Sequence, residues 1–455
     1  MRPRLFHSFV IALGCVLAGC GGDDGPSGGT ADAGPGDPEE PDASSEPAEG
    51  PCAVERIGPS ATVVFHDPSG QPLATAQTDG DGVARHDACV DGGMVTIVNP
   101  LFLGGGSFSR IVTVQGVKVG DTVRFDPPAA PAEPVGPLTI AVANEEDDVS
   151  VEPDHYVVNL GDCMGAPAPL DGDTGGQVEI EDLDDCLGHD RSDYAVVSMA
   201  LSAGDELRGL ARIDSSDLIP PIAVSGGTWV PYGGPALLAL ENAPAAATSG
   251  FLVVSPLIDG VIYYRFTRAF DPQGETVDAG YWPEAIADAH RLAISVKWPD
   301  TSTSMTILRT SSEPTALDLA DLLFEGIDSP VLDVTDPLRP RYQWQGGDPR
   351  AAITRAEIHW TGDDHAGQWI VVAPGNPGAA ALPVLPDALA SQGPRESSAI
   401  YLGPLLLIDR GIDYATWLES GLSTISYGDA ILPELGHSEE ESILRALIFD
   451  PDPPA

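Results

Sequence analysis

Basic residues are scarce in this chain, and lysine is almost absent. Lys118 and Lys297 are its two lysines, and 22 basic residues face 69 acidic ones. The resulting formal charge of −47 repels nucleic acid and anionic lipid headgroups, so we expect neither as a partner. We attribute the shortage of lysine to genomic composition rather than to function.

Long hydrophobic runs are also missing, apart from one near the N-terminus. Residues 9–17 are apolar except for Gly14, and they follow Arg2 and Arg4. Spanning a bilayer takes about 20 apolar residues, so this run is too short for a membrane helix. A positive start followed by a short apolar run predicts a secretory signal over residues 1–20.

The signal ends in Leu17-Ala18-Gly19-Cys20, which resembles the bacterial lipobox. The resemblance implies cleavage before Cys20 and attachment of several acyl chains, which anchor a protein to a membrane more firmly than one. Gly21 stands where the best-known inner-membrane retention signal has aspartate, which favours the outer membrane. The alternative is an ordinary signal peptide with a cysteine near its cleavage site.

Residues 21–50 lack basic and aromatic residues and contain Gly, Pro, Ala, Ser and nine acidic residues. Such a segment buries too little apolar surface to offset the entropy of ordering, so a disordered linker is predicted. Loss of Arg2 and Arg4 with the signal leaves 20 basic and 69 acidic residues, a formal charge of −49. Repulsion among the nine acidic residues of the linker keeps it extended.

Cysteine is rare, and its positions restrict its roles. Of six cysteines, Cys15 leaves with the signal and Cys20 carries lipid. Four remain: Cys52, Cys89, Cys163 and Cys186. An even number in an exported protein predicts two disulfides, and pairing within candidate domains favours Cys52–Cys89 and Cys163–Cys186. A zinc site is disfavoured because no CxxC spacing or matching histidine pair accompanies them.

From residue 53 the pattern changes to short alternating runs separated by Gly, Asp and Pro. ATVVFHD at 61–67 and PLATAQT at 72–78 are examples. Strands at this spacing predict an all-β chain of two or three Ig-like or transthyretin-like β-sandwich domains. The proline-rich segment 127–137 marks a boundary, which gives predicted domains at 51–127, 138–300 and 301–455.

The stretch VVFHDPSGQPLATAQTDGDGVARHD resembles the carboxypeptidase regulatory-like (transthyretin-like) domain. The hallmark is a strand, a D..G turn, a second strand and T-D-x-x-G, here carried by Asp67, Gly70, Thr78, Asp79 and Gly82. The likeness covers about residues 56–126. It implies a non-catalytic sandwich in which the predicted disulfide staples the N-terminal segment to the strands.

Two segments favour helix in a chain that is otherwise rich in strands. TALDLADLLFEG places Ala316, Leu319, Ala320 and Leu323 at helical spacing. SEEESILRALIF offers a capping box at Ser438, but its apolar end is equally consistent with a closing strand.

Tryptophans and tyrosines divide into two groups. Trp344, Trp360 and Trp369 lie in strand-like runs and are predicted to point into the core. A second group near Pro or Gly is open to two interpretations, a carbohydrate-stacking surface or ordinary packing: Trp229, Tyr232, Tyr281 and Trp282.

No catalytic residue is predicted, and the chain is expected not to be an enzyme. The single GxSxG string, at residues 25–29, lies in the linker, where the required strand and helix cannot flank it. HExxH, SxxK, P-loop and GxGxxG motifs are absent. HWTGDDH places His359 and His365 around two aspartates, which suits either a metal site or, as we prefer, a turn between strands.

Calcium is the one cofactor that the sequence suggests. In DGDTGGQVEIED, Asp171, Asp173, Glu179 and Asp182 take positions 1, 3, 9 and 12 of a loop similar to EF-hand and dockerin loops. The loop departs from them in having Gly175 at position 5 and the shorter aspartate at position 12. The alternative, which we favour, is a solvated acidic loop closed by the second disulfide.

These features predict a lipoprotein of the cell envelope, built of non-catalytic domains that act as a binding or structural module. Its expected partners are the membrane, through the lipid anchor, and an unspecified protein or carbohydrate. The alternatives are an exported hydrolase of polysaccharide or peptide with an accessory N-terminal sandwich, and a calcium-stabilised adhesin.

Overall fold

The computed structural model describes the chain in three stretches. The first comprises residues 50–57, 61–98 and 108–125. Between residues 138 and 231 it describes the backbone of nine strands. The third comprises residues 236–258, 261–262, 266–282, 287–299, 302–310, 314–362, 365–420, 443–449 and 451.

The strands of the first two stretches run as follows. The first stretch contains β1 (Cys52–Glu55), β2 (Thr62–His66), β3 (Pro72–Gln77), β4 (Ala84–His86), β5 (Gly93–Val98), β6 (Phe108–Val117) and β7 (Thr122–Arg124). The second contains β8 (Leu138–Val142), β9 (His155–Leu160), β10 (Cys163–Met164), β11 (Ala168–Pro169), β12 (Gly176–Ile180), β13 (Ala195–Ser202), β14 (Glu206–Asp214), β15 (Ile222–Val224) and β16 (Val230–Pro231).

The third stretch holds the remaining strands and the helices. Its strands are β17 (Ala236–Glu241), β18 (Ser249–Ile258), β19 (Val261–Ile262), β20 (Phe266–Phe270), β21 (Thr276–Ala279), β22 (Ala289–Lys297), β23 (Thr303–Thr310), β24 (Ala316–Asp318), β25 (Ile327–Asp333), β26 (Arg341–Gly346), β27 (Ile353–Thr361), β28 (Ala366–Pro374), β29 (Ala379–Ala381), β30 (Ala399–Asp409) and β31 (Ile443–Phe449). Its helices are α1 (Leu319–Leu322), α2 (Tyr414–Ser420) and a 3₁₀ helix (Asp387–Gln392).

One 13-stranded sheet dominates the molecule. Its strand order is β19-β18-β22-β23-β31-β30-β27-β28-β6-β5-β2-β3, with β20 also paired to β18. Neighbours are antiparallel except β28 and β6, which run parallel from Ala366↔Phe108 to Val372↔Val114. The predicted all-β class is confirmed.

Three small sheets pack on the large one, and each closes a hydrophobic core. These sheets are β4-β1-β7, β21-β17-β24 and β25-β26-β29. The first shares a core with β2, β5, β6 and helix α2, the second with β18 and β22, and the third with β27, β28 and β30. Between residues 138 and 231, the strands form two further sheets, β10-β9-β13-β14-β16 with β11, and β12-β8-β15.

Alternation along the central strands buries both faces of the large sheet. On β28, Ile370 and Val372 join the core under the first small sheet, while Trp369 and Val371 join the core under the third. Successive side chains of a strand point to opposite faces, which explains why β28 is apolar at almost every position. We call the side of Ile370 face A and the side of Trp369 face B.

The large sheet continues across the predicted domain boundaries. Strand β6, from the predicted 51–127 domain, pairs with β28 of the 301–455 region, and β22 pairs with β23 across residue 300. The boundaries therefore do not coincide with breaks in this sheet, and the division into 51–127, 138–300 and 301–455 stays a prediction.

The turn residues of the N-terminal resemblance have defined local roles. Asp67 Oδ1 accepts hydrogen bonds from the backbone N–H groups of Ser69 and Gln71. Asp79 Oδ1 does the same for Asp81 and Val83. These Asx turns close the β2–β3 connection and the turn between β3 and β4, the two places where the sequence predicts them.

The two helix predictions have different outcomes. Helix α1 is a single turn, capped by Asp318, whose side chain accepts from the N–H groups of Ala320 and Asp321. The apolar end of SEEESILRALIF forms β31 between β23 and β30, so the closing-strand alternative is correct. The capping box at Ser438 lies outside the described residues.

The core tryptophans follow the prediction. Trp344, Trp360 and Trp369 are all buried in the core under the third small sheet. Tyr281 and Trp282 are buried as well, in the core under the second small sheet, so the packing interpretation holds for them. Trp229 and Tyr232 lie outside the described residues.

Candidate functional site

The structure describes one of the two predicted disulfides. Cys52 on β1 is bonded to Cys89, with their Cα atoms 5.8 Å apart, as predicted. Cys163 lies on β10, and Cys186 and the predicted lipidation site Cys20 lie outside the described residues. The second disulfide and the lipid anchor stay predictions.

The predicted calcium ligands are described only at one position. Glu179 lies on β12, opposite Thr139 of β8. Asp171, Asp173 and Asp182 lie outside the described residues, so the calcium site stays a prediction. In the part of the chain that the structure describes, no group of three or more His, Cys, Asp or Glu side chains is placed to hold a metal ion.

The histidines of HWTGDDH do not meet. His359 lies on face A, where its Nε2 atom is 2.9 Å from Glu357 Oε2. His365 is buried on face B, where Trp360 Nε1 donates to its Nε2 atom over 2.8 Å. His359 and Trp360 are neighbours on β27 and therefore point to opposite faces of the sheet. His365 lies on the side of Trp360, so the two imidazoles are on opposite faces. The turn interpretation is favoured over a shared metal.

Sequence reasoning missed a row of polar side chains that crosses four strands on face A. The row consists of Arg110 on β6, Gln368 on β28, His359 on β27 and Tyr401 on β30, each paired in register with the next. Gln368 Oε1, with the amide turned towards Arg110, accepts from Arg110 Nε over 2.9 Å and Nη2 over 3.2 Å. The His359 and Tyr401 rings meet edge to face at 5.4 Å. We call these four residues the polar row.

Beside the polar row, further along β27 on face A, lies a buried ion pair. Arg355 and Glu357 follow the same face of β27, with 3% and 6% of their side chains exposed, and they contact each other directly. Burial would raise the pKa of Glu357, but the charge of Arg355 and the hydrogen bond and charge of His359 outweigh it and lower that pKa. Glu357 is therefore an ionised acceptor.

An irregularity of β30 makes room for this pair. The register between β27 and β30 shifts between Ala356 and Ile358, which leaves Gly403 against Glu357 and His359. A Cβ atom at position 403 would lie 2.6 Å from His359 Nε2 and 2.7 Å from Glu357 Cβ, so a side chain there would displace the pair. On the other face, Tyr342 donates to the Gly403 carbonyl over 3.2 Å. Such bulges are frequent where a sheet redirects side chains towards a site.

The chemistry open to this arrangement follows from the protonation of His359. An ionised carboxylate only accepts hydrogen bonds, so the Nε2 atom of His359 carries the proton. The Nδ1 atom forms no hydrogen bond to the described residues, and 27% of the side chain is exposed. His359 is thus an imidazole oriented by a carboxylate, able to accept a proton or hydrogen bond. Among the described residues, no Ser, Thr or Cys is hydrogen-bonded to it.

The sequence contained a signal for this site. In RAEIH, residues 355–359, charged or ionisable residues alternate with apolar ones along a strand whose other positions are mostly apolar. Alternation predicts that Arg355, Glu357 and His359 share one face. The partners Arg110 and Tyr401 are distant in sequence, and only strand pairing reveals them.

A second charge pair, between the exposed Arg350 and the buried Asp348, has a structural role. Arg350 donates to Asp348 Oδ1 over 2.9 Å and Oδ2 over 2.7 Å, and it also donates to the carbonyls of Asp321 and Leu323, each over 2.6 Å. Burial alone would raise the pKa of Asp348, but the hydrogen bonds and the charge of Arg350 outweigh it and lower that pKa. This pair satisfies carbonyls around the end of α1.

The helices are short. In the part of the chain that the structure describes, none has the length and apolar character needed to cross a membrane.

Comparison with known proteins identifies no family. No protein-family model and no curated protein matches the chain. A solved structure of chicken CNTN1 FN1–FN3 domains has 12% identity and a TM-score of 0.12, over 55% of this chain and 93% of that one. Salmonella alpha-2-macroglobulin reacted with methylamine has 11% identity and a TM-score of 0.10, over 77% of this chain and 27% of that one. At these TM-scores the fold assignment rests on the strands alone.

Proposed function

We propose that the chain is a lipoprotein of the cell envelope, in which lipidated Cys20 and an acidic linker hold a non-catalytic β-sheet scaffold away from the membrane. Gly21 favours the outer membrane as its location. The scaffold serves as a binding or structural module.

The continuous 13-stranded sheet is the observation that supports this proposal. Strands from residue 62 to residue 449 belong to it, and small sheets cover both of its faces. A sheet buried on both sides is a stiff frame, because its strands cannot shift without disrupting two packed cores. A stiff frame on an extended tether suits a protein that displays a surface at a distance from a membrane.

Substitution of the lipidation site tests the anchor. Cys20→Ala is expected to leave the protein unprocessed or released, because no acyl chains are attached, whereas Cys15→Ala, in the apolar run of the signal, leaves it in the detergent-soluble membrane fraction. Fractionation and labelling with a radioactive fatty acid measure both. Unchanged anchoring of Cys20→Ala would refute the lipoprotein proposal.

A hydrolase assay tests the non-catalytic part. We expect the mature chain to leave polysaccharides and peptides intact. Hydrolysis that is abolished by His359→Gln would support the exported-hydrolase alternative, because His359 has the orientation of a general base.

A further inference from the structure

The β2–β3 turn, residues 67–71, lies against the C-terminal part of the chain. The Gly70 carbonyl accepts a hydrogen bond from the Val384 N–H over 2.8 Å. The neighbouring Ser69 carbonyl accepts one from Arg339 Nη2 over 3.3 Å. We call these two hydrogen bonds the latch, because they join the N-terminal hairpin to residues far along the chain.

The turn can separate from the C-terminal residues without unfolding the large sheet. Pro68 and Ser69 are exposed, and β3, which follows the turn, is the end strand of the sheet and pairs with β2 alone among the described strands. Gly70 is buried, and a Cβ atom there would lie 3.0 Å from the Pro383 Cα atom. Opening the latch breaks this contact and two hydrogen bonds, which costs less than unfolding strands with a packed core.

A buried imidazole lies beside the turn. His66, the last residue of β2, is 1% exposed, and neither of its ring nitrogens has a hydrogen-bond partner among the described residues. Phe65 joins the core on face A and contacts His86 there, so His66 points to face B. A buried polar group without a partner is costly, and water reaches this one when the turn moves away.

Two charged groups of the described residues face the ring. The Asp67 carboxylate, next along the chain, favours the protonated ring, whereas the Arg339 guanidinium, across the latch, opposes it. The residues paired with the histidine, Met94 on β5 and Pro72 on β3, carry no charge, and neither does segment 381–384. The charges of opposite sign leave burial as the dominant influence on this imidazole.

Protonation of His66 therefore favours the open latch. With the latch closed, desolvation lowers the pKa of His66 to about 4. Access to water returns this pKa towards its ordinary value of about 6.5. The open state binds the proton first as the pH falls, so the closed state loses its advantage from about pH 6.5 down to about pH 4.

We propose that the latch is a pH-sensitive contact, in which protonation of His66 releases the β2–β3 turn from Arg339 and Val384 while the strands stay folded. The C-terminal part of the chain then loses one attachment to the N-terminal strands, and the pairing of β6 with β28 remains. This inference goes beyond the proposed scaffold, because it makes a contact within that scaffold depend on pH.

Native-state hydrogen exchange of the mature chain with Cys20→Ala tests the latch at pH 7 and pH 5. After correction for intrinsic exchange rates, the opening equilibrium of the Val384 amide should rise about twentyfold from pH 7 to pH 5. It should exceed that of the β6 amides at both pH values. It should also be insensitive to low concentrations of urea, because opening of the turn exposes little surface.

Two histidine variants assign this rise to one residue. His66→Gln, which removes the titrating group, should abolish the twentyfold rise. His290→Gln is the matched control, because His290 is also buried and has a pKa of about 4 but lies in the core under the second small sheet. It should leave the rise at Val384 unchanged.

Three results would overturn the proposal. The first is an opening equilibrium of Val384 that equals that of the β6 amides and depends on urea as theirs does, since the contact would then open only by global unfolding. The others are an undiminished rise in His66→Gln and a rise abolished by His290→Gln. The first comparison uses the parent protein alone, so it decides even if His66→Gln does not fold.

Discussion

At the scale of single residues, the polar groups inside this protein are organised by charge neutralisation. Arg355 and Glu357 lie in a face of β27 that is otherwise packed, and each would be costly to bury alone. Removal of one partner of such a pair typically costs about 3–5 kcal/mol, whereas an exposed pair contributes little. The stability of β27 therefore depends on both Arg355 and Glu357.

Two buried histidines, His66 and His290, make the stability of the protein depend on pH. Desolvation lowers the pKa of His66 to about 4, although the Gly70 backbone and the Asp67 carboxylate oppose it. Desolvation also lowers the pKa of His290 to about 4, and it outweighs the other influences on this imidazole. In the unfolded chain both titrate near 6.5, so the unfolded state binds the proton first as the pH falls.

We therefore expect the free energy of unfolding to fall between pH 7 and pH 5, by about 2 kcal/mol for each histidine. The contribution is fully present above pH 6.5 and is lost as the pH approaches 4. Urea denaturation at both pH values measures it. His66→Gln should reduce the pH-dependent loss by about 2 kcal/mol, and an undiminished loss would contradict the assignment to His66.

At the scale of elements, close approach between strands requires glycine at Gly367. A Cβ atom there would collide with the Trp360 ring and with the backbone carbonyl of Ser109, on the strands on either side of β28. Backbone atoms of a sheet cannot yield as a flexible side chain can. The large Trp360 ring fits only because position 367 has no side chain.

Gly367→Ala is expected to destabilise the protein by about 1–3 kcal/mol through overpacking. Gly80→Ala is the matched control, because a Cβ atom there meets nothing within 4 Å and the residue has no positive φ. Chemical denaturation of the two variants measures the difference. Equal stability of both would mean that β27 and β6 adjust freely around position 367.

At the scale of the whole molecule, strand pairing and hydrogen bonds join the N-terminal strands to the C-terminal part of the chain. The strand pairing is the parallel one of β6 and β28. Tyr414 on α2 donates to the Gln115 carbonyl over 2.8 Å, and the Val384 N–H donates to the Gly70 carbonyl over 2.8 Å. Separation of the two regions would break all of these contacts together.

We expect strands β2, β5 and β6 to unfold in one transition with strands β27 and β28. Val112→Ala, which creates a cavity in a fully buried position of β6, should lower hydrogen-exchange protection in β27 and β28 as much as in β6, by about 2 kcal/mol. Val331→Ala, at an exposed position of β25, is the control and should change neither. Loss of protection confined to the N-terminal strands would indicate an autonomous domain.

Local patterns in the sequence determined the all-β class, the turns at Asp67 and Asp79, the Cys52–Cys89 disulfide and the burial of Trp344. Each of these features depends on residue types or spacings within a short part of the chain. They did not distinguish helix from strand at β31, since a short apolar run fits both until its neighbours are known. The pairing of β6 with β28 and the alignment of Arg110 with His359 depend on residues about 250 positions apart. Only the tertiary structure decided those, because strand partners are selected by the packing of both sheet faces, which no single segment encodes.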